Sequence, residues 1–265
     1  MLIINSYNRI KFSFLNFSFF VTMKIGKFFS KIAFSNNYLK ILNNIVNNLY
    51  IKGYAIVPNY YTSDEVENLN QLVNQILDDI KDTKEDDRYL ERIEGQVKIK
   101  HIQSKYLQLR RYSTELLFTF ISLFFYGRPK IPSVICTVTH DGSFLHSSVP
   151  GACKQPIAGE SHVDGYRHYL KAIIFLEDVN IENGPTAIIK GSYRNKKLLP
   201  TFLKLMKKKG EVVDIPSDIS EELKKNNPPQ YLTGKKGDLV LIDTCNIHWA
   251  SALNKGCRKL LWFYF

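Results

Sequence analysis

His162-Val163-Asp164 stands just before an apolar run at 170–179. In extended chain, residues i and i+2 point to the same side, so this pair of side chains can grip one ion together. A His-x-Asp tripeptide arises by chance in many proteins and says little alone. A third imidazole, His248, follows "GDLVLIDTCNI" at 237–247, a late β-rich run able to lie beside the first pair. Two imidazoles and one carboxylate occupy one face of a metal ion and leave three positions open for a bidentate oxoacid and for dioxygen. That is the requirement of non-haem Fe(II) oxygenases. Zinc is the alternative, because His and Asp ligands also suit a catalytic zinc with an open site.

Arg258 bears on that choice. It follows His248 by ten positions (258 − 248) and opens the last apolar run, "RKLLWFYF". A turn through "SALNKG" would bring its guanidinium back inside, and a buried Arg needs an anion. The distal carboxylate of 2-oxoglutarate is a planar partner that a guanidinium fork holds by two hydrogen bonds, so Fe(II) with 2-oxoglutarate is the expected pairing. Lys171 lies inside an apolar strand close to the triad and could reach an acidic group of substrate or co-substrate, although a Lys snorkelling outward is the commoner case. His140, His146 and His168 could line the mouth or move protons; a solvated or hydrogen-bonded imidazole is the ordinary reading. Cys245 and Cys257 flank the functional residues and read as small packing groups, with no base placed to activate them.

These residues need a scaffold that brings distant runs together. Short β-rich runs occur at 133–139, 170–179, 186–192, 237–244 and 258–265, each bounded by Gly, Pro, Asn or Asp. Such a succession predicts a mainly β fold with flanking helices, a jelly roll or double-stranded β-helix of cupin-like form, over 51–265. "GYAIVPNYY" at 53–61 reads as its opening strand. The following "TSDEVENLNQLVNQILDDI" reads as a helix with Thr62 or Ser63 as N-cap and Glu65 and Glu67 in the first turn. "TELLFTFISLFFYG" at 114–127 is a buried helix, too short for a bilayer. Residues 1–50 read as an N-terminal helical extension, amphipathic from Lys24 to about Ile51 through Ile41, Ile45 and Leu49. Within it, Phe12 to Met23 is an interrupted apolar stretch, read as a packing helix or as upstream of a start at Met23. Residues 81–100 read as charged and exposed. An insertion at 197–229, with one helix near 198–209, is a lid over the site or an inert surface excursion.

Composition narrows the class. Of the 265 residues 45% are hydrophobic, with 17 Phe and 15 Tyr, enough to bury one substantial core and to exclude global disorder. The formal charge of +11 is spread over scattered lysines with no nucleic-acid motif, so it reads as solvated surface with a minor role in steering anionic substrates. Cys136, Cys153, Cys245 and Cys257 show neither zinc spacing nor disulfide density, which fits a reducing cytoplasm.

"YIKGYAIVPNYYTSDEVENL", "ESHVDGYRHYLKAIIFLEDVNIENGPTAIIKGSYR" and "GKKGDLVLIDTCNIHWASALNKGCRKLLWFYF" resemble, in order and spacing, the opening strand and helix and the two metal-bearing blocks of the phytanoyl-CoA hydroxylase-like family of dioxygenases. The resemblance covers roughly 51–265. It implies iron at His162, Asp164 and His248, and co-substrate carboxylate at Arg258. It implies hydroxylation of a C–H bond in a small-molecule or acyl substrate with dioxygen, releasing succinate and CO2; halogenating relatives lack the carboxylate that Asp164 provides. The chain departs from the family at Ser161, often aromatic; at Tyr193, commonly His; and at Ala250, where a hydroxyl is often found and Ser251 comes one position later. Nothing is carried over to those three positions. A non-catalytic binding protein on the same fold and a jelly-roll zinc hydrolase are the competing readings. No nucleic acid and no stable membrane insertion are expected, and neither substrate identity nor oligomeric state has a readable code.

Overall fold

Runs such as "LKAIIF" and "LVLID" carry almost no polar residue, which is what strands covered on both faces require. The computed structural model describes residues 36–81, 90–93, 96–140, 161–165, 167–201, 203 and 213–265. The strands are β1 (Tyr54–Val57), β2 (Leu90–Ile93), β3 (Gln96–Ile99), β4 (Ser133–His140), β5 (His162–Val163) and β6 (Leu170–Phe175). They continue with β7 (Thr186–Ile188), β8 (Val213–Asp214), β9 (Gln230–Leu232), β10 (Leu239–Asp243), β11 (His248–Ala250) and β12 (Cys257–Tyr264). The α-helices are α1 (Asn36–Lys52), α2 (Ser63–Asp79), α3 (Arg110–Ser113), α4 (Leu116–Tyr126) and α5 (Ser217–Asn226).

Among the described residues all strand pairs are antiparallel. A larger sheet has the order β1-β10-β6-β12-β4-β3-β2 and a smaller one β8-β5-β11-β7-β9. Among the described residues three buried clusters follow from the alternation of side chains along these strands. Ile173, Phe175, Val240, Ile242 and Leu260 of the larger sheet meet Ile188 and Leu232 of the smaller one, so this cluster fills the space between the sheets. Leu170, Ala172, Ile174, Leu261 and Phe263 point the other way and pack under α1, α2 and α4. The ring of Phe118 lies 4.9 Å from Phe263 and 5.5 Å from Phe265. Val163, Ile247 and Cys245 on the outer side of the smaller sheet pack with Leu223 of α5. This is the mainly β double-stranded β-helix with flanking helices that the sequence predicts.

Several expectations need correction. Glu91 pairs with Lys98 and Lys100, and with Leu90 and Ile99 buried this makes β2 and β3 a hairpin extending the larger sheet, not an exposed charged segment. Helix α1 buries Leu42, Ile45, Val46 and Leu49, while Ile41 is 47% exposed, so the apolar stripe lies one residue round from the expected position. Thr62, not Ser63, caps α2 in a capping box with Glu65, and the acidic residues of its first turn are Asp64 and Glu65 rather than Glu67. In the 197–229 insertion Leu199, Pro200, Thr201 and Leu203 are helical, as expected near 198–209, the rest of which lies largely outside the described residues, and α5 is a helix the sequence reading did not expect. The insertion also supplies β8, which pairs with β5. The segment Phe12 to Met23, residues 141–160 with His146 and Cys153, and the side chain of His140 are also outside the described residues.

One glycine is demanded by crowding. Gly53 joins α1 to β1 at φ +84°, and a Cβ there would lie 2.4 Å from the Asn246 amide nitrogen. Its N–H donates to the Leu49 carbonyl and its own carbonyl accepts from the Asp243 N–H at 2.8 Å, so the end of α1 is fastened to the turn between β10 and β11.

Candidate metal centre

Strand register brings the two imidazoles together. β11 and β5 are antiparallel neighbours in which His248 sits directly opposite His162, and the ring centroids are 4.4 Å apart. Val163 faces outward, so His162 faces the interior and the next inward position belongs to Asp164. The Asp164 N–H donates to the Thr244 carbonyl at 3.1 Å, which ties the carboxylate to the turn that carries His248. Asp164 Oδ1 is 3.7 Å from His162 Nε2, and Oδ2 is 3.7 Å from His248 Nε2. One ligand atom from each of the three residues lies within 4.8 Å of the others, a set able to hold a metal ion.

The protonation states suit that task. His248 Nδ1 lies 3.0 Å from the Asn246 carbonyl, an acceptor, so Nδ1 carries the hydrogen and Nε2 presents its lone pair. Burial pushes the His248 pKa well below the usual imidazole range, which keeps the ring neutral, as a metal ligand must be. Burial works against the Asp164 charge, but the Lys171 ammonium, through its charge and its hydrogen bond, offsets it, and the carboxyl stays below its ordinary range as an anion.

Lys171 shares this centre. It is 8% exposed and follows the inward alternation of Ile173 and Phe175, so it does not snorkel outward. Its Nζ is 2.5 Å from Asp164 Oδ2 and 4.2 Å from the centre of the Tyr264 ring. Burial lowers the Lys171 pKa, but Tyr264 and Asp164 outweigh it and the group remains an ammonium.

Arg258 faces the same interior through the alternation that sends Leu260 and Trp262 inward. It is 5% exposed; its Nη2 reaches Thr139 Oγ1 at 3.5 Å, while Nε and Nη1 have no hydrogen-bond partner among the described residues. Burial lowers its pKa to about 10, which still leaves it cationic at neutral pH. A buried cation with two idle donors is a site built for an anion.

The remaining residues singled out from the sequence lie elsewhere. His168 braces the turn: its Nδ1 is 2.5 Å from Asp243 Oδ2, and its ring stands edge-on to Tyr193 at 4.8 Å. Asp243 Oδ1 also accepts from the Tyr169 and Cys245 N–H groups, so this buried carboxylate joins the chain after Asp164 to the chain before His248. Cys245 packs outside the smaller sheet and Cys257 on the helix side of the larger one. Sequence reading overlooked Asp243, Asn246 and Thr139. Alternation along "SVICTVT" could have pointed to Thr139 once Thr137 was placed inward.

The family described as Phytanoyl-CoA dioxygenase (PhyH) matches residues 50–259. No curated protein sequence matches the chain. Among solved structures, the chain resembles the epimerase SnoN in complex with Fe3+, alpha ketoglutarate and nogalamycin RO, at 14% identity and a TM-score of 0.62 over 85% of this chain and 83% of that one. It also resembles EctD from S. alaskensis with bound Fe, at 16% identity and TM-score 0.61 over 83% and 74%. A further likeness is to HygX from Streptomyces hygroscopicus with nickel, 2-oxoglutarate and hygromycin B bound, at 13% identity and TM-score 0.55 over 87% and 86%. At these identities the likeness is one of fold.

Proposed function

The chain belongs to the phytanoyl-CoA dioxygenase family of iron- and 2-oxoglutarate-dependent oxygenases, and from that premise we propose that it hydroxylates a C–H bond of a small-molecule or acyl substrate. In this reading His162, Asp164 and His248 hold Fe(II), and Arg258 holds the distal carboxylate of 2-oxoglutarate. The carrying observation is the pairing of three convergent donors with a buried guanidinium that has two idle N–H groups. The donor chemistry fits iron, since two neutral imidazoles and one carboxylate on one face leave room for an oxoacid. A hydrolytic zinc centre would leave Arg258 without an anion. SnoN and HygX, with the same fold, have been seen with alpha ketoglutarate or 2-oxoglutarate bound.

Iron held by these three residues would supply the oxidation together with 2-oxoglutarate and dioxygen, one oxygen atom of dioxygen going into succinate as CO2 leaves the oxoacid and the other into the C–H bond. The protein's own residues do the positioning. The Asn246 carbonyl fixes the His248 tautomer, and the N–H of Asp164 holds that carboxylate beside the Thr244 carbonyl. Lys171 pairs with Oδ2 of Asp164, and its charge would help to hold a dianionic co-substrate. Apolar residues between the sheets keep bulk water out. Asp164 itself favours hydroxylation over halogenation, because its carboxylate would hold the metal where halogenating relatives lack one.

The catalytic domain in this reading spans 51–265, with 1–50 as an N-terminal extension and the insertion at about 197–229 anchored to the ligand-bearing strand through β8. The partners are a small molecule and dioxygen, with no nucleic acid. The free Cys136, Cys245 and Cys257 support a reducing cytoplasm as the working compartment. Among the described residues no helix is long and apolar enough to cross a membrane.

The direct test is aerobic incubation with Fe(II) and 2-oxoglutarate, with and without a small-molecule library. Succinate and CO2 are expected, increased by the true substrate; stoichiometric zinc without decarboxylation under any condition would overturn the reading. Lys171→Met is expected to weaken 2-oxoglutarate binding about tenfold, the lower end of a charge-assisted interaction, with less effect on metal binding. Anaerobic calorimetry measures both, and an unchanged 2-oxoglutarate affinity removes Lys171 from the co-substrate site.

A further inference from the structure

On the helix side of the larger sheet a cleft of about 450 Å3 opens where β1 leads into α2. Tyr60, Tyr61, Tyr112 and Leu116 line it together with Arg111 and Glu115. The cleft lies at the other end of β10 from the metal centre. Tyr61 donates its N–H to the Gly237 carbonyl just before that strand begins, whereas Asp243 ends the strand and leads to the turn that carries His248. Tyr61 and Tyr112 belong to the cluster packed under the helices, so the sheet itself separates the cleft from the space that holds Arg258.

Two groups of opposite charge line this cleft without meeting. Glu115 stands at the start of α4, yet its side chain makes no capping bond. Its carboxylate accepts instead from two phenols, Tyr60 at 2.9 Å and Tyr61 at 2.7 Å. Burial pushes the Glu115 pKa up, and the Tyr61 and Tyr60 hydrogen bonds pull it back. A carboxylate has four lone-pair sites, so two are left, and among the described residues no cation forms an ion pair with it. Arg111 gives one N–H to the Tyr112 hydroxyl and lies with its guanidinium carbon 4.5 Å from the centre of that ring. Its other N–H groups have no hydrogen-bond partner among the described residues. Glu65, also on the lining, is already engaged, because its Oε2 accepts from the Thr62 N–H and hydroxyl in the capping box.

A brace between the β1–α2 turn and α4 accounts for the two phenol bonds. It does not account for a carboxylate and a guanidinium four positions apart (115 − 111) that stay unpaired beside open space. The complement of such a pair is one small molecule carrying both an ammonium and a carboxylate. The rings supply the rest. Tyr60 and Tyr61 stand edge-on at 4.8 Å and Tyr61 and Tyr112 are 5.8 Å apart, a wall that can cover an apolar side chain and turn π-electron density toward an ammonium.

We propose that this cleft binds a free α-amino acid with an apolar side chain: the ammonium docks on Glu115, the carboxylate on Arg111, and the side chain against the Tyr61 and Tyr112 rings. The site is separate from the metal centre and does not depend on the co-substrate reading of Arg258.

The test is anaerobic calorimetry on the protein loaded with Fe(II) and 2-oxoglutarate, with L-phenylalanine, 2-phenylethylamine and 3-phenylpropionate as probes. The second probe lacks the carboxylate and the third lacks the ammonium. Wild type is expected to bind L-phenylalanine at least tenfold more tightly than either, the loss that follows from removing one charge-assisted contact. Glu115→Gln, which keeps an acceptor for the phenols, should raise the L-phenylalanine Kd about tenfold and leave 3-phenylpropionate unaffected. Arg111→Gln should raise it as much and leave 2-phenylethylamine unaffected, and 2-oxoglutarate affinity should not change in either variant. No binding of L-phenylalanine overturns the proposal. Equal binding of all three probes shows an apolar surface without charge recognition and overturns it as well. An L-phenylalanine Kd unchanged in both variants places the amino acid elsewhere and overturns it too. Should Glu115→Gln fail to fold, Arg111→Gln, made at an exposed side chain, carries the same contrast, and an unchanged L-phenylalanine Kd in it overturns the proposal.

Discussion

His162→Ala and Asp164→Ala are both expected to abolish succinate formation, and only the second to unfold more easily than wild type. Loss of an outer contact to a metal ligand costs about 10–100-fold in affinity or activity, so loss of a ligand itself should exceed that. The two variants differ in what they leave behind. His162 is part-exposed and its removal leaves no buried charge alone, whereas Asp164 is the partner of a Lys171 ammonium that is nearly inaccessible. Breaking a buried pair by deleting one member costs about 3–5 kcal/mol. Asp164→Ala should therefore lower the thermal midpoint of the metal-free protein while His162→Ala leaves it nearly unchanged, and adding Lys171→Met to Asp164→Ala should recover most of the loss without restoring activity. Succinate assays and thermal melts check this; wild-type turnover in either single variant would refute the metal assignment.

Arg258→Met separates co-substrate binding from folding in the opposite sense. Truncating one partner of a buried hydrogen-bonded charge pair costs about 2–5 kcal/mol, so the 2-oxoglutarate requirement should rise roughly 30-fold or more. Without co-substrate the guanidinium is a buried cation with two unsatisfied N–H groups. An apolar side chain of similar volume removes that penalty, and replacements of this kind are often neutral or stabilising. The variant should therefore melt no lower than wild type when 2-oxoglutarate is absent. Added 2-oxoglutarate at 100 times its Kd should stabilise wild type by about 2.7 kcal/mol and the variant, at that same concentration, by far less. A variant that melts well below wild type in the absence of co-substrate would show that Arg258 instead braces the sheet.

The three proposed ligands were legible in the sequence because metal chemistry restricts residue type and because extended chain restricts direction. His162 and Asp164 needed only the two-residue repeat, and His248 needed one adjacent late strand. The central strands were legible for a similar reason: β6 and β10 are apolar on both sides since helices cover one face and the smaller sheet the other. What stayed hidden depended on partners distant in the chain. The hairpin of β2 and β3 looked solvated because Glu91, Lys98 and Lys100 neutralise one another only after pairing. Helix α5 was masked by its charged face, Leu223 being its buried apolar residue. Thr139 carried no signal of its own, since a threonine in a β-rich run is ordinary until Arg258 is known to lie opposite.

The direct facing of His162 and His248 across one backbone ladder has a consequence for how this protein can fail. A slip of either strand by a single residue would turn its imidazole to the outer side of the sheet, where Val163 and Trp249 now pack. Misthreading thus cannot yield a slightly weakened enzyme: each folded molecule either has the centre or lacks it, so a damaged population should show fewer competent copies with unaltered affinity in each.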